Sequence, residues 1–434
     1  MVAVNNRAEN RLQAQRRSAS SRQPRILYFT EFWPHRATNG AELRSRHVLR
    51  ALEQVGRVEV IVLNDEDDYD EQSAILTAED ESARAFRLAQ RSDKGLARKI
   101  RWILDPRIDY PHGCGLDNEA VRCNLSRIGE FDVVWFFKLR TANMFPYAPW
   151  VRSVVDIDDL PSTYQRASLS KMSSLTERFR TLTSLHSWKR RERALGERFT
   201  VLSVCSEGDR QYLKSLGVKT PIHVIPNGFE KPVEEPIRSP MAAPPRIGFI
   251  GLYDYIANRE GVEWFITKCW SRIKREIPNA RFRLVGQGSD GALKPCAPDV
   301  DALGFVANPN DEIATWAAMI VPIRLGAGTR VKIAYGFGRK CPVISTSLGA
   351  YGYDPVDGRE LYLADSAVGF ANACIKAIRH PERAAQMAER AWKLFLEKWT
   401  WDSIEPHIWA ATEECMRLNP RSSFRAGSTA MSDE

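Results

Sequence analysis

The sequence predicts an α/β protein with two doubly wound, Rossmann-like domains that face a central cleft. Apolar strand patterns alternate with helical patterns along most of the chain, as in parallel sheets that helices cover on both faces. A proline-rich stretch interrupts this alternation, and 434 residues exceed what one hydrophobic core usually serves. Ligands of such sheets bind at the carboxyl ends of the strands, so we expect the functional site between the domains.

The first predicted domain covers residues 25–230. It begins with a β-α-β unit, in which PRILYFTEF and VEVIVL are strands and GAELRSRHVLRALEQVG is an amphipathic helix. The runs FDVVWFF and RSVVDIDDL are two more buried strands, and FTVLSVCSEGDRQYLKSLG and IHVIPNGFE complete the domain. Residues 65–130 are first acidic and then basic, and we predict an insertion with helices there.

A linker over residues 231–245 separates this domain from the second. Five prolines fall in the stretch EKPVEEPIRSPMAAPP, and proline fixes φ and removes a backbone donor. The second domain, residues 246–398, has predicted strands in RIGFIG, RFRLVG, DALGFV, MIVPI and PVISTS, and predicted helices in GVEWFITKCWSRIKRE and DEIATWA. The tails at 1–24 and 418–434 lack periodicity, so we predict that both are disordered.

Composition narrows the class of protein. No run of eighteen apolar residues is present, and the basic first residues contain no apolar segment of the kind that secretory signals carry. Eight cysteines lie singly, without a C-x-x-C pair, which predicts a reduced, cytoplasmic protein. The net charge of +8 suits an anionic ligand or an anionic membrane surface. Nucleic acid is disfavoured, because neither a known module nor interleaved aromatic residues are found.

One stretch of the second domain carries the main chemical signal. VPIRLGAGTRVKIAYGFGRKCPVIST predicts a strand, a glycine-rich loop, a short helix and another strand. Helix N-termini attract anions, and Arg330 and Lys332, in the predicted first turn, would oppose the helix dipole unless an anion compensates them. The alternative is a tight turn with solvated cations. The stretch matches neither the P-loop pattern nor the dinucleotide fingerprint.

Seven short motifs, in order, resemble the retaining family-four glycosyltransferases of GT-B fold. They are IPNG, IGFIG, LVGQG, LGFV, VPIRLGAGTRVKI, PVISTSLGAYG and WTWDSI. The resemblance extends from about Arg25 to about Ala411 and is stronger after the linker. It implies a nucleotide-sugar donor held mainly by the second domain, no metal ion or other cofactor, and a glycan or lipid-linked acceptor in cell-envelope polysaccharide synthesis. It also implies that a helix at 399–417 crosses back onto the first domain.

The resemblance assigns roles to individual donor-site residues. Gly251 would approach the diphosphate, because only glycine lets the backbone come so close. Arg330 and Lys332 would neutralise the departing diphosphate, and Phe305 and Val306 would frame the nucleotide base. The other expected donor-site positions are Arg324, Gly326, Ala327, Gly328, Thr329 and Tyr335.

On the acceptor side, the resemblance implies roles for Gly40 and Arg44, and it places Asp158 near the transferred sugar. Relatives usually carry two glutamates at the positions of Ala327 and Tyr335. Tyrosine can donate one hydrogen bond and stack, but it cannot accept bonds from two ribose hydroxyls as a carboxylate does. A catalytically silent partner or scaffold in a polysaccharide complex is therefore an alternative to an active enzyme. A sugar-nucleotide epimerase is a third, disfavoured by the order of the motifs.

Two further patterns allow more than one interpretation. Asp156 and Asp158 form a D-x-D sequence, which could hold a divalent metal but more often represents carboxylates at a strand end that line a cleft. Residues 166–198 are rich in cations. A solvated helix is the favoured interpretation, and a basic surface that docks on anionic lipid at the inner face of the membrane is the alternative.

Overall fold

The fold consists of two parallel sheets with helices on their faces. The computed structural model describes residues 22–36, 40–64, 66–90, 100, 102–106, 114–115, 127–145, 152–169, 174–238, 243–292, 299–326 and 328–418. Ala327 and almost all of both tails lie outside these residues. None of the described helices is long and apolar enough to cross a membrane.

The first domain is built on a seven-stranded sheet with the order β3-β2-β1-β6-β7-β8-β9, and every neighbouring pair is parallel. Its strands are β1 Arg25–Thr30, β2 Arg57–Asn64, β3 Arg84–Arg87, β6 Val133–Phe137, β7 Ser153–Ile157, β8 Val201–Val204 and β9 Ile222–Val224, with a small antiparallel pair of β4 Ala89–Gln90 and β5 Cys114–Gly115. The helices are α1 Gly40–Glu53, α2 Tyr69–Glu79, α3 Leu139–Asn143, α4 Pro161–Leu169, α5 Leu175–Arg198 and α6 Glu207–Ser215.

The second domain has a six-stranded parallel sheet with the order β12-β11-β10-β13-β14-β15. Its strands are β10 Arg246–Ile250, β11 Arg281–Val285, β12 Val300–Ala302, β13 Trp316–Val321, β14 Val343–Ser345 and β15 Tyr362–Leu363. Its helices are α7 Ile256–Trp264, a π-helical segment Phe265–Trp270, α8 Ser271–Glu276, α9 Ser289–Ala292, α10 Asn310–Ala314, α11 Val331–Phe337, α12 Ala367–Arg379 and α13 Pro381–Lys398.

Both faces of the first sheet are buried, which explains its nearly continuous apolar strands. Ile26 and Tyr28 of β1 belong to one hydrophobic cluster, and Leu27 and Phe29 belong to another on the opposite face. Successive side chains of a strand point to opposite faces, so a strand covered on both sides must be apolar at every position. This burial confirms the prediction of doubly wound sheets.

Several predicted boundaries move in the structure. The run DALGFV forms a strand only at its start, Val300–Ala302, and the run MIVPI belongs to a strand that ends at Val321, just before a proline. Within 65–130 the structure adds an edge strand, Arg84–Arg87, to the predicted helix. At the chain end, Leu418 packs against the first domain's core and its carbonyl accepts a bond from Arg152, so this residue is ordered.

The last helix, α14 Trp401–Arg417, covers the first domain rather than the second. Its buried residues Trp401, Ile404 and Ile408 belong to the hydrophobic cluster of the first sheet. The His47 ring on α1 stacks on Trp401 with 4.3 Å between ring centroids. The helix therefore buries one face of the first domain's sheet, although the two are far apart in the sequence.

We expect Ile408→Ala to lower the free energy of unfolding by about 2–5 kcal/mol, because it removes buried apolar volume and leaves a cavity under α14. Glu413→Ala, on the exposed side of the same helix, should change it by less than about 0.5 kcal/mol. Denaturant unfolding of the whole protein provides the measurement. Equal effects of the two variants would mean that α14 does not stabilise the first domain.

Candidate functional site

A cleft between the two sheets brings together loops that follow the carboxyl ends of several strands. Its cavity has a volume of about 150 Å³. Residues of both domains line it: Gly40, Ala41, Leu43, Asp158, Asp159, Asn227, Gly228, Phe229, Glu230, Thr329, Arg330, Val331 and Trp401. Parallel sheets place ligand sites at this edge, so the cleft is the candidate functional site.

The glycine-rich loop before α11 has a backbone conformation that would be strained with any residue other than glycine at two of its positions. Gly326 and Gly328 have φ values of 106° and 76°, in the left-handed region. A Cβ atom at position 326 would lie 2.5 Å from Arg330 Nη2, and one at position 328 would lie 1.6 Å from Asp159 Oδ1. Both glycines are therefore required by their backbone conformation, and the ends of two side chains lie where a Cβ atom would be.

Lys332 lies beside the end of the first strand of the second domain. A Cβ atom at Gly251 would come within 2.9 Å of Lys332 Cε and 3.1 Å of Nζ. Among the described residues no carboxylate forms an ion pair with Lys332. Burial, together with the charge of Arg330, lowers the pKa of the Lys332 amine to about 8. Gly251 and Lys332, which the sequence analysis assigned to the donor site, thus lie together.

Arg330 also lacks an acidic partner in the described part of the chain. It lies at the N-cap of α11, one position before the predicted first turn. Its Nη2 donates to the Leu325 carbonyl at 3.3 Å, while its Nε is buried without a hydrogen-bond partner among the described residues. A buried, unpaired donor on a guanidinium is costly unless an acceptor completes it. The loop thus presents two cations that form no ion pair with a carboxylate among the described residues.

Two neighbouring carboxylates of the first domain face this loop. Asp158 Oδ1 accepts bonds from Cys205 Sγ and Asn227 Nδ2, both at 3.3 Å. Burial pushes the pKa of Asp158 up, but the charges of Arg44 and Lys138 and these bonds leave it below its usual value. In contrast, burial and the charge of Asp158 raise the pKa of Asp159 to about 7. The sequence analysis missed Asp159, although it directly follows the D-x-D sequence.

The structure corrects the expectation that Arg44 faces the acceptor. Its side chain is buried, and its guanidinium donates to Asp156 at 2.9 and 3.1 Å. It also donates to the carbonyls of Ile225 and Pro226, each at 2.8 Å, and to Asn227 Oδ1 at 3.1 Å. Burial acts to lower the pKa of Arg44, but Asp156 keeps it above its usual value. Arg44 therefore holds together the segments behind the cleft and does not face the cleft itself.

Asp156, the first residue of the D-x-D sequence, is turned away from the cleft. Arg44 occupies both of its oxygens, and Ser203 Oγ donates to one of them. Within the described part of the chain, no group of three or more His, Cys, Asp and Glu side chains is arranged to hold a metal ion. The Asp156 carboxylate is thus engaged by Arg44 and Ser203 rather than free to act as a metal ligand.

Asn227, from the IPNG motif, joins the two domains. Its amide nitrogen donates to Thr329 Oγ1 in the glycine-rich loop at 2.9 Å. A second bond across the cleft runs from the Tyr351 hydroxyl to Asp209 Oδ1, at 3.0 Å. Gly40, at the start of α1, faces Val331. The domains therefore meet beside the loop that carries the cations.

Tyr335 packs at the junction of the domains. Its ring meets Phe229 edge-on with 5.2 Å between centroids, and the Arg339 guanidinium lies 3.4 Å from the ring centroid. Burial raises the pKa of the Tyr335 hydroxyl. The aromatic ring thus has a packing role at the position where the resemblance leads us to expect a glutamate.

Three other expected donor-site residues do not line the described cleft cavity. Arg324 lies beside Glu260, with an N···O distance of 3.7 Å, and over the Trp264 ring. Phe305 is 77% exposed, and Val306 packs against a small cluster of the second domain. The cavity lining also lacks the other expected donor-site residues Gly251, Gly326, Gly328, Lys332 and Tyr335.

The fold and a match to one family model show which proteins this chain is similar to. The architecture is the GT-B fold of glycosyltransferases, and residues 244–380 match the family described as glycosyl transferases group 1. These findings confirm the resemblance to that class. A 44.6 kDa protein from the cps region of Klebsiella pneumoniae is 24% identical over 161 residues. The aligned part is 35% of this chain and 42% of that protein, so the chain spans less than half of this relative.

Solved structures share the fold along nearly the whole chain. Sucrose-phosphate synthase from Thermosynechococcus elongatus has a TM-score of 0.65 at 14% identity, covering 91% of this chain and 100% of that one. HepE from Anabaena, in complex with UDP and glucose, has a TM-score of 0.57 at 14% identity, covering 90% of this chain and 99% of that one. Identities this low establish the two-domain fold alone.

We expect Arg44→Ala to lower the free energy of unfolding by about 3–5 kcal/mol, because it leaves the Asp156 carboxylate buried and unpaired. Replacing both residues, as in Arg44→Met with Asp156→Leu, should cost less than the single change, since no unpaired charge then remains. Denaturant unfolding of the single and double variants tests this. A cost below about 1 kcal/mol for Arg44→Ala would contradict the supporting role.

Proposed function

We propose that this protein is a retaining, metal-independent glycosyltransferase that moves a sugar from a nucleoside diphosphate to a glycan or lipid-linked acceptor. One observation carries the proposal: Arg330 lines the cleft, Lys332 lies near it beside Gly251, and among the described residues no carboxylate forms an ion pair with either cation. A diphosphate supplies the negative charge and the acceptor oxygens that these cations lack. The glycines supply room for it to approach the backbone.

The proposed chemistry follows from the charges of the loop. As the sugar leaves, negative charge grows on the diphosphate, and cations already in place stabilise it without rearranging. With a pKa of about 8, the Lys332 amine is mostly protonated at neutral pH and can donate to a phosphate oxygen. In this proposal Arg330 and Lys332 supply the charge that a metal ion would otherwise supply, and Thr329 adds a hydroxyl at the same loop.

The acceptor is proposed to enter from the first domain. Gly40 and Asp158 line the cleft opposite the loop, and the ionised Asp158 can accept a hydrogen bond from a sugar hydroxyl. Similarity to a protein from the cps region of K. pneumoniae supports a role in cell-envelope polysaccharide synthesis. The fold shared with HepE, which was solved with UDP and glucose, supports a nucleotide-sugar donor.

The second candidate function is a catalytically silent partner in a polysaccharide assembly complex. It is favoured by Tyr335, whose ring packs between Phe229 and Arg339 where an active relative would place a ribose-binding carboxylate. In that case the GT-B architecture would present a surface to other proteins, and nucleotide binding would be lost.

Lys332→Ala and Arg330→Ala are each expected to lower the turnover number by about 10²–10³-fold, the usual loss when one donor to a developing negative charge is removed. Release of nucleoside diphosphate from a panel of UDP-, GDP- and ADP-sugars measures this. Lys393→Ala, which removes an exposed cation of α13, should keep wild-type activity. Full activity in both loop variants would refute the phosphate assignment.

Thermal unfolding with the same nucleotides separates the enzyme from the silent partner. A ligand that binds only the folded protein adds about 2.7 kcal/mol of stability at 100 times its dissociation constant. The silent alternative gains support only if no nucleotide or nucleotide-sugar raises the melting temperature of the wild-type protein.

We also propose that the protein works at the cytoplasmic face of an anionic membrane, through the N-terminal half of α5. Leu175, Phe179 and Leu182 are 82, 72 and 51% exposed, and their spacing puts them on one helical face. Arg178 and Arg180 are exposed beside them. An apolar stripe with flanking cations suits the boundary between acyl chains and anionic headgroups.

The cations of the later stretch WKRRER contribute less to this surface than the sequence suggests. Trp188 packs edge-on against Trp102, Arg191 is buried, and Arg190 donates to the carbonyls of Ile103 and Leu104. The membrane proposal therefore rests on the stripe nearer the start of α5. Helix α4, which begins two residues after Asp159, joins this region to the cleft.

Binding of the wild-type protein to phosphatidylglycerol-containing vesicles is expected to fall about tenfold or more in the double variant Leu175→Glu with Phe179→Glu, because two apolar side chains leave the bilayer. The control, Val233→Glu with Ile237→Glu, adds the same charges at exposed linker positions. Vesicle flotation measures both. If the wild-type protein does not bind these vesicles but dimerises through the apolar stripe, the membrane proposal is wrong.

A further inference from the structure

Asp159 of the first domain lies directly against the glycine-rich loop of the second. A Cβ atom at Gly328 would fall 1.6 Å from Asp159 Oδ1 and 2.8 Å from its Cγ. The carboxylate therefore packs on the Gly328 backbone, on the side of the loop that faces the cleft. Asp159, Thr329 and Arg330 all line the same cavity. An acidic side chain thus lies next to the cations proposed to bind phosphate.

Four charged groups surround this carboxyl, and they come from different elements. Asp158 precedes it, Arg330 lies in the loop, Lys138 follows β6, and Asp209 lies on α6. Lys138 is 3.8 Å from Glu31 Oε1, and Asp209 accepts bonds from Ser206 and Tyr351. Of the two cations, Lys138 thus forms an ion pair with Glu31, whereas Arg330 forms no ion pair with another acid in the described part of the chain.

The balance of these groups leaves Asp159 able to titrate near neutrality. Burial and the negative charge of Asp158 raise its pKa to about 7, while Arg330 and Lys138 act in the opposite direction. Asp159 is exposed to solvent and lines the cleft. A proton can therefore reach it from water without passing through the protein.

We propose that the ionised Asp159 carboxylate competes with the donor's phosphates for the glycine-rich loop, so that a nucleoside diphosphate sugar binds together with a proton taken from solvent by Asp159. This inference rests on the proposed function, because it names the donor as the ligand. The positive charges of Arg330 and Lys332 match the two negative charges of a diphosphate diester. An ionised Asp159 would add an anion that nothing in the loop compensates, and like charges at such short range disfavour ionisation.

Coupling between donor binding and protonation of Asp159 predicts how affinity and proton uptake depend on pH. At pH 7 about half of the Asp159 carboxyls are ionised, so binding should take up roughly half a proton per site, and wild-type affinity should fall by up to tenfold per pH unit above 7. Lys332, with a pKa of about 8, adds only a small uptake at pH 7 but more at pH 8. Measurements at pH 7 therefore report mainly on Asp159.

Calorimetric titration with UDP-glucose, in two buffers of different ionisation enthalpy, counts these protons. This probe has no phosphate that titrates near pH 7, so the uptake belongs to the protein. In Asp159→Asn the uptake should nearly vanish and binding at pH 8 should be tighter than in the wild type by about tenfold. Asp402→Asn, at an exposed position of α14, should match the wild type in both respects.

The outcomes separate this inference from the proposed function. If the wild type and Asp159→Asn bind the probe with the same affinity and the same proton count, the competition is refuted and the transferase proposal stands. If neither protein binds UDP-glucose or any other UDP-, GDP- or ADP-sugar, the proposed function itself fails.

A stability measurement tests the position of Asp159 without any ligand. A carboxyl whose pKa is raised on folding makes the protein less stable as pH rises from about 4, its unfolded value, through about 7. The melting temperature of Asp159→Asn should therefore exceed that of the wild type by more at pH 8 than at pH 5. A constant difference across this range would show that the carboxylate is not held in the cleft, and would overturn the inference.

Discussion

The ion pair of Arg44 and Asp156 is the interaction on which the candidate site depends. A buried guanidinium needs several acceptors, and here they come from β7 and from the chain that follows β9. Because the same guanidinium also bonds the side chain of Asn227, the pair fixes the residue that reaches across to Thr329. The buried ion pair of the first domain thereby helps to fix the position of the second domain's glycine-rich loop.

The two domains contribute opposite charges to the cleft. The second domain supplies Arg330 and the nearby Lys332, and the first supplies Asp158 and Asp159. The pKa values of these neighbouring carboxyls shift in opposite directions. Arg44, Lys138 and two hydrogen bonds favour the ionised Asp158, whereas partial desolvation of its carboxyl and the charge of Asp158 disfavour ionisation of Asp159. One aspartate can therefore act as a fixed charge and the next as a group that titrates.

Local patterns made most of the fold and part of the site predictable. Apolar runs that end in glycine or polar residues located the strands, and the spacing around Gly326, Gly328 and Lys332 identified the loop. Arg44 could not be assigned in the same way, since its partner Asp156 is 112 positions away and only the folded sheet brings them together. The same holds for Arg324, which lies beside Glu260, and for Asp159, whose neighbour Gly328 belongs to the other domain.

The chain passes between the domains twice, and the two passages are bonded to each other. The amide of Phe229 donates to the Trp399 carbonyl at 2.9 Å, and the amide of Trp401 donates to the Phe229 carbonyl at 3.2 Å. Two paired crossings hold the domains together at this point more firmly than a single crossing would. If one domain rotated on the other, Phe229 and its neighbour Tyr335 would therefore move little, whereas the opposite rim of the cleft would move the most.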